Sequence, residues 1–329
     1  MRVSARVALL LATIAGLGIA IWTFGATGLT DIFRIASRIG WGGGLLFCGW
    51  SLFTFVLLGA AWLAAAPGEA TRRLLQFTWA RMVREAVSDL LPLSQLGGIV
   101  IGARTLGASG MAGPRVYGSM VVDMTTEMAA QLVYTLFGLA MIASLLIDGG
   151  SAAALRPMIL GGTGVMAAVI LLFFVAQHSA LDLTARIAGR MIPQSQTALV
   201  DIRRELARIY AQRCRLALSF VFNLGAWLAS GAGAWLALKL MGARISIWDA
   251  LALESLIFTL RSIAFFIPGA LGVQEAAYAV AGPLFGLPPE SALALSLAKR
   301  ARDIAIGLPT LIAWQASEVR GIMMRGGGE

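Results

Sequence analysis

Histidine and cysteine are almost absent from this sequence. Among 329 residues there is one histidine, His178, and there are two cysteines, Cys48 and Cys214. A disulfide framework, a metal site built on His or Cys, and a nucleophile–base pair each need several such side chains placed together. We therefore expect no disulfide framework, no metal, no cofactor and no catalytic residue, and we predict that the protein is not an enzyme.

Charged residues are also scarce, at 13% of the sequence, whereas 58% of residues are hydrophobic and the mean hydropathy is +0.81. These values lie outside the range of soluble globular proteins. The apolar runs are unbroken and rich in Ala, Leu and Gly, unlike the alternating segments of a transmembrane barrel. The composition predicts an all-α polytopic membrane protein, a single integral membrane domain over residues 1–329 with about 6–8 transmembrane helices.

Apolar stretches occupy most of the chain. The first follows Arg2 and Arg6, as in a signal peptide, but no small-residue cleavage site follows it. We interpret it as a retained first span. The stretches lie at about 7–24, 41–66, 119–147, 157–177, 216–240, 247–267, 271–287 and 291–316.

The net charge of +9 comes from arginines that lie mainly in short loops between apolar stretches. Such residues orient the helices in a membrane, and this explains the positive charge of the chain. We therefore expect no nucleic-acid partner. The loop 177–215 holds seven arginines against three acidic residues. This predicts a basic cytoplasmic loop with an amphipathic helix on the membrane surface, and counting spans from it places both termini in the cytoplasm.

Residues 82–118 are too interrupted by charge, proline and glycine to form a simple span. The same count of spans places both ends of this segment on the cytoplasmic side. A segment that enters and leaves the bilayer on one side as broken half-helices is re-entrant. A second interrupted segment follows later, and the sequence does not decide whether it is re-entrant or spanning. The turn residues are Pro92, Gly97 and Gly98 in the first segment and Pro268, Gly269 and Gly272 in the second.

The two interrupted segments suggest a repeat. Entering from opposite faces, candidate units 82–147 and 255–316 would form an inverted repeat, the plan of many secondary transporters. Chance spacing in a glycine-rich chain is the alternative. At an offset of 176 residues, Pro92 coincides with Pro268, Asp123 with Lys299, and Glu127 with Asp303.

Several charges fall inside apolar stretches, where each costs roughly 2.5–3.5 kcal/mol and marks a candidate functional site. One interpretation is structural: Asp123 or Glu127 pairs with Lys299 or Arg302 to hold the two units together, and Glu275 caps its own helix. The other is functional: these side chains line a polar cavity that receives a charged headgroup or a proton. The candidate binding and translocation residues are Arg84, Glu85, Asp89, Arg104, Asp123, Glu127, Glu254, Arg261, Glu275, Lys299, Arg302 and Asp303.

Two runs of sequence carry a family resemblance. Residues 266–277 read FIPGALGVQEAA, and residues 285–294 read FGLPPESALA. They resemble the membrane domain of lysylphosphatidylglycerol synthases, in which a Pro-Gly-Gly-hydrophobic-Gly-x-x-Glu pattern precedes a Gly-hydrophobic-Pro stretch and a charged helix. Ala270 stands where that pattern has its second glycine.

The resemblance extends over most of the chain. Residues 91–98, together with Arg104, are similar to that family's upstream motif. Within the family, residues 83–86 and 123–127 look most like the hopanoid-biosynthesis-associated branch called HpnL. The resemblance therefore implies a membrane-embedded protein that handles lipid.

What the resemblance implies for function is lipid translocation in a bacterial inner (plasma) membrane. The chain ends at Glu329 soon after its last apolar stretch, so we expect no synthetase domain and no aminoacyl transfer. The expected partners are membrane lipids, with a hopanoid or phospholipid headgroup, and further lipid-biosynthesis or transport proteins.

Two other functions remain open from the residues alone. One is an ion- or proton-coupled transporter of small solutes, in which Asp123, Glu127 and Asp303 would bind protons or cations. The other is a non-catalytic scaffold for lipid-biosynthesis enzymes. The sequence does not separate a scaffold from a transporter.

Overall fold

A computed structural model describes residues 3–91, 94–148, 195–264 and 267–326. The predicted turn residue Pro92, the predicted span at 157–177 and His178 lie outside these residues, as does the first half of the loop 177–215.

The described residues form eleven α-helices and no strand, which confirms the all-α prediction. Three short 3-10 segments accompany them, at Thr71–Arg73, Pro268–Ala270 and Gly282–Phe285. The helices are α1 (Val3–Thr27), α2 (Leu29–Ser37), α3 (Gly40–Ala64), α4 (Leu74–Leu90), α5 (Ser94–Ala108), α6 (Gly113–Asp148), α7 (Ser195–Tyr210), α8 (Arg213–Leu240), α9 (Ile247–Ile263), α10 (Val273–Ala281) and α11 (Pro289–Gly326).

Helices α3 and α8 are long and apolar enough to cross a membrane. A third candidate among the described residues is the pair α1 and α2, which is bent by 87°. The bend lies at Gly28, whose φ of 99° is open to glycine but strained for other residues. These spans establish a helical membrane protein, while the number of about 6–8 spans stays a prediction.

Helices α4 and α5 form a tight antiparallel hairpin. A Cβ atom on Gly98 would lie 2.5 Å from the Arg84 carbonyl oxygen, so only glycine allows this approach. Arg73, at the start of α4, donates a hydrogen bond of 2.9 Å to the carbonyl of Ser109, which follows α5. Both ends of the hairpin therefore lie at the same end of the bundle, as a re-entrant segment requires.

The sequence prediction of the first turn needs one correction. Gly97 and Gly98 lie inside the first turns of α5, because the helix already begins at Ser94. Gly98 packs closely against α4, since it is buried and faces Arg84 and Ser88. The hairpin also begins earlier than residue 82, at Leu74, because α4 is one continuous helix.

The second interrupted segment runs from α9 through a turn into α10. Gly269 and Gly272 have φ angles of 57° and 79°, and Ala270 has a φ of 48°. The left-handed conformation costs a non-glycine residue roughly 1–2 kcal/mol, so Ala270 keeps the turn at an energetic cost. A Cβ atom on Gly269 would lie 2.9 Å from the carbonyl oxygen of Asp89, the second-last residue of α4. The two helix breaks therefore meet inside the bundle.

Both interrupted segments have the same order of elements: a helix, a break, a shorter helix and a long helix. The long helix α11 begins at Pro289, 176 residues after α6 begins at Gly113. This offset equals the spacing of the matched sequence positions. The inverted repeat stays a prediction, and the order of the helices is compatible with it.

Helix α7 lies in the predicted basic loop and is amphipathic. Its apolar residues Leu206 and Ile209 are buried against Ala65 and Val122, at the end of α3 and on α6. Part of its apolar face therefore packs against the protein, and its predicted position on the membrane surface stays a prediction. Burial on the protein removes the same apolar area from water, so amphipathicity alone does not distinguish the two positions.

Candidate functional site

The two apolar helices α3 and α8 pack against each other and form one wall of a cavity. Trp50 of α3 donates a hydrogen bond of 2.7 Å to the carbonyl of Ala229. Gly233 makes the contact close, because a Cβ atom there would lie 2.8 Å from the Trp50 ring. Most side chains on this wall are aromatic or aliphatic, including Phe47, Trp50, Phe55, Leu58 and Trp227, and three carry hydroxyls: Ser51, Thr54 and Ser230.

The opposite wall is charged. Helix α4 contributes three residues spaced four apart, a spacing that places them on one helical face. Together with the apolar wall they enclose an empty volume of about 770 Å³, which includes the space at the open side. The charged lining residues are Arg81, Glu85 and Asp89 of α4, Glu127 of α6, Arg261 of α9, and Arg302 and Asp303 of α11.

Arg81 is the centre of the first group of charges. Its side chain is 1% exposed, and its Nη1 donates to Asp123 Oδ2 at 3.0 Å. Its Nη2 donates to Glu127, and its Nε lies 3.3 Å from Glu85. Arg84 adds a second bond to Glu127 at 3.3 Å. We call these five residues the Arg81 cluster; it joins α4 to α6 at the edge of the cavity.

Helix α8 supports the Arg81 cluster from the side. Asn223 donates to the second Asp123 oxygen at 3.3 Å and to the Thr126 hydroxyl at 3.2 Å. Asp123 and Asn223 are fully buried. Buried carboxylates are tolerated when hydrogen bonds satisfy both oxygens, and here each oxygen of Asp123 accepts one.

A second group of charges lies where the two helix breaks meet. Arg261 donates to Asp89 at 2.9 Å and so ties the end of α9 to the end of α4. On α11, Arg302 donates to Asp303 at 2.5 Å, and its guanidinium lies 5.3 Å from the centre of the Phe47 ring. Such a distance allows a cation–π contact. Arg302 thereby connects the charged wall to the apolar wall.

A third group lies behind the cavity and does not line it. Lys299 donates to Glu254 at 2.6 Å and to the hydroxyl of Tyr278 at 3.1 Å, and this hydroxyl donates to Glu254. All three residues are at most 1% exposed. Lys299 Nζ lies 4.8 Å from the centre of the Phe258 ring, and Phe258 lines the cavity. We call Glu254, Tyr278 and Lys299 the Lys299 cluster.

The predicted pairing of the charges is wrong. Asp123 and Glu127 bind Arg81 and Arg84 on the neighbouring hairpin, whereas Lys299 binds Glu254. Arg81 was not among the predicted residues. Its spacing of four from Glu85, on the face that also carries Asp89, is the signal that would have included it.

Two further predicted residues lie away from the cavity. Glu275 accepts a bond of 2.8 Å from the Gly272 amide, which makes it the cap of its own helix α10, and it also accepts from Arg300 at 3.2 Å. Arg104 pairs with Glu318 near the end of α11 and is 62% exposed. Neither side chain lines the cavity.

The model of the lysylphosphatidylglycerol synthase TM region matches residues 6–309. The chain belongs to this family. The matched part includes every residue of the cavity and of both clusters, and membership indicates a lipid-related membrane protein. No curated protein and no solved structure matched the chain.

Proposed function

We propose that this protein is a membrane lipid translocase. The observation that carries the proposal is the cavity, with one charged wall and one aromatic, aliphatic wall. A lipid has the same division, because its headgroup is polar and its tails are apolar. The headgroup would bind at the wall that carries Arg81, Glu85 and Asp89, and the tails would remain in the surrounding lipid.

The position of the cavity supports this proposal. Spanning helices keep irregular backbone only where protein or an aqueous cavity surrounds it. Here the two helix breaks meet at the contact of Gly269 with Asp89, and Asp89 also lines the cavity. In transporters with repeated units, substrates bind between such interrupted helices, and one unit rocks against the other to change access. The pair Arg261–Asp89 crosses this boundary at 2.9 Å.

The finer assignment rests on the sequence resemblance. A member of the hopanoid-associated HpnL branch would move a hopanoid or a related lipid across or out of the bacterial inner membrane. The expected orientation places both termini in the cytoplasm, since the basic loop 177–215 is predicted to lie there. A phospholipid such as phosphatidylglycerol is the second candidate cargo.

The test is lipid movement in reconstituted vesicles. Wild-type protein and the Glu127→Gln variant are compared, with a hopanoid and phosphatidylglycerol as labelled cargo. We expect the wild type to move one of them and the variant to move it at least roughly tenfold more slowly, because Arg81 and Arg84 lose a charged partner in the cavity wall. Glu318→Gln, far from the cavity, is the matched control and should keep the wild-type rate.

Two outcomes would contradict the proposal. If uptake of a soluble solute depends strongly on pH or sodium and no lipid moves, the protein is a solute transporter. If neither lipid nor solute moves, and the variant leaves the lipid distribution of cells unchanged, a scaffold is the better explanation.

A further inference from the structure

Three contacts of polar or small residues join α6 to α9. Residue numbers rise along α6 while those of the partners fall along α9, so the two helices run antiparallel here. The α6 residues are spaced by four and three, which places them on one face of the helix. We call these six residues the α6–α9 seam: Gln131, Thr135 and Gly138 of α6, with Ser262, Thr259 and Ser255 of α9.

The first contact of the seam lies at the edge of the cavity. Gln131 Nε2 donates to the Ser262 hydroxyl at 2.5 Å. Glu127, one helical turn before Gln131, lines the cavity, and so do Phe258 and Arg261 of α9. Ser262 is exposed but does not line the cavity, so it faces outward. The Gln131–Ser262 bond therefore separates the cavity from the surface of the bundle, which lipid surrounds in a membrane.

The other boundaries of the cavity are held by pairs of opposite charge. Such pairs are costly to break once they are buried. The two hydrogen bonds of the seam join neutral groups, and hydrogen bonds of this kind between spanning helices contribute little to stability. The charge pairs are Arg81–Asp123 between α4 and α6, Arg261–Asp89 between α4 and α9, and Lys299–Glu254 between α9 and α11.

The hydroxyls of α9 do not depend on α6 for their own hydrogen bonds. Ser262 donates to the Phe258 carbonyl at 2.9 Å, and Thr259 donates to the Ser255 carbonyl at 2.8 Å. Both protons are thus used within α9, and towards α6 the two oxygens only accept. If α6 moves away, both hydroxyls keep a hydrogen bond, so separating the helices leaves no orphaned group on α9.

The seam becomes tighter with distance from the cavity. Thr135 is 2% exposed, and its hydroxyl lies 2.8 Å from that of Thr259. Further along, a Cβ atom on Gly138 would overlap the Ser255 hydroxyl and lie 3.1 Å from the Ala252 carbonyl oxygen. Ser262, in contrast, lies in the last turn of α9, next to the helix break. The end of the seam at Gln131 and Ser262 is therefore the end that can open.

From these observations we propose that lipid enters and leaves the cavity sideways between α6 and α9, through a portal that the Gln131–Ser262 bond closes. The headgroup passes Glu127 and Arg261, and the tails remain outside. The contacts around Gly138 stay packed and act as the hinge.

The surface beside the portal suits lipid tails. Val133 and Leu136 of α6 and Leu260 of α9 are 45%, 44% and 40% exposed. Their apolar side chains offer contact to hydrocarbon next to the polar opening. The inference rests on the proposed function and adds the route by which the headgroup reaches the cavity.

The distance between α6 and α9 is the direct test, because it does not depend on translocation. Spin labels are attached at Val133→Cys and Leu260→Cys in full-length protein whose native cysteines, Cys48 and Cys214, are replaced by alanine. Electron paramagnetic resonance then measures the distance in nanodiscs of phosphatidylglycerol. We expect two distances, one for packed helices and one longer. A single distance would overturn the inference.

A second pair of labels is the matched control. Leu52 of α3 and Leu228 of α8 are 43% and 42% exposed, and they lie on helices that pack through Trp50 and Gly233. This pair should give one distance. If it gives the same two distances as the seam, the whole bundle expands and there is no portal between α6 and α9.

One hydroxyl tests which bond closes the portal. Ser262→Ala removes the acceptor for Gln131 and should enlarge the longer-distance component at least twofold, because the closed state loses a bond that the open state does not have. Ser144→Ala is the control, since the exposed Ser144 hydroxyl on α6 donates to a carbonyl of its own helix. An equal change in both variants, or none in Ser262→Ala, contradicts the assigned bond.

Transport is measured after the portal is locked. In the same background, Gln131→Cys/Ser262→Cys is joined by a short, reducible bis-methanethiosulfonate linker. We expect the labelled cargo that the wild type moves, hopanoid or phosphatidylglycerol, to move at least roughly tenfold more slowly and to recover on reduction, since a closed gate stops passage. Gln131→Cys alone, treated with the linker, should keep its untreated rate. Undiminished movement in linked protein contradicts the portal.

The two readouts separate this inference from the proposed function. If the labels report opening at the seam and no lipid moves, the translocase proposal fails and the portal stands. If lipid moves while the labels report a single distance and the linked protein keeps its rate, the translocase proposal stands and the portal fails.

Discussion

The Arg81 cluster and the Lys299 cluster are both buried groups of charges. They differ in whether their hydrogen bonds form a closed ring. In the Lys299 cluster one cation, one carboxylate and one hydroxyl form a closed ring of hydrogen bonds. In the Arg81 cluster two arginines face three carboxylates, and Glu85 remains 24% exposed at the cavity. A closed network rigidifies a fold, whereas an open one keeps polar atoms available to a ligand. We therefore expect a structural role for the first and a binding role for the second.

The largest loss of stability should come from replacing Arg81, the centre of the Arg81 cluster. Arg81→Met leaves Asp123 and Glu127 without their main partner, and breaking a buried charge pair costs roughly 3–5 kcal/mol. We expect a loss at the upper end of this range, because one guanidinium serves both carboxylates. Thermal unfolding in detergent measures it.

The control for this variant is Arg104→Met, which breaks an exposed pair. Exposed pairs contribute about 0–1 kcal/mol, so its unfolding should stay near that of the wild type. If both variants lost the same free energy of unfolding, the buried pairs of the Arg81 cluster would contribute no more to stability than an exposed pair does.

Breaking the closed cluster should have a somewhat smaller effect. Lys299→Met removes one cation from one carboxylate, and we expect a loss near the lower end of roughly 3–5 kcal/mol. The double variant Lys299→Met/Glu254→Gln removes both charges and should recover most of this stability. It should also keep lipid movement in vesicles. If the double variant is stable but moves no lipid, the Lys299 cluster takes part in translocation and the comparison of the two clusters is wrong.

The smallest effect concerns the hairpin that carries Arg81 and Arg84. Gly98→Ala places a methyl group against the Arg84 carbonyl and the Ser88 side chain, and such overpacking costs roughly 1–3 kcal/mol. Gly107→Ala is the control in the same helix, since no atom lies within 4 Å of its new methyl group. It should be neutral or slightly stabilising, because alanine favours a helix. If Gly98→Ala and Gly107→Ala unfolded at equal temperatures, the close contact between α4 and α5 would not be needed for stability.

Sequence reasoning predicted the charged residues of the site better than their partners. Six of the seven charged lining residues of the cavity were among those predicted, because charge inside an apolar stretch is visible without a structure. Arg81 was missed, since the predicted interrupted segment began at residue 82 although α4 begins at Leu74. The partners of Asp123 and Lys299 were wrong, because pairing depends on which helices are neighbours.

Backbone geometry was predictable in part. The Pro268–Gly269–Ala270 turn was expected from its residues, and its positive φ angles agree with that expectation. Gly97 and Gly98 were assigned to a turn, but they lie in α5, because glycine serves a turn and a close helix contact equally well. A sequence does not show which of these two uses applies.

By itself, the sequence determined the class of the protein. Unbroken apolar runs leave the helix as the structure that satisfies every backbone group in lipid, and rare charges inside those runs mark candidate site residues. Only the tertiary structure decided which charges meet each other, which face a cavity and which are closed off behind Phe258. These contacts join residues far apart in the chain, such as Arg81 with Asp123 and Arg261 with Asp89. They depend on helix packing, and neither composition nor spacing contains that information.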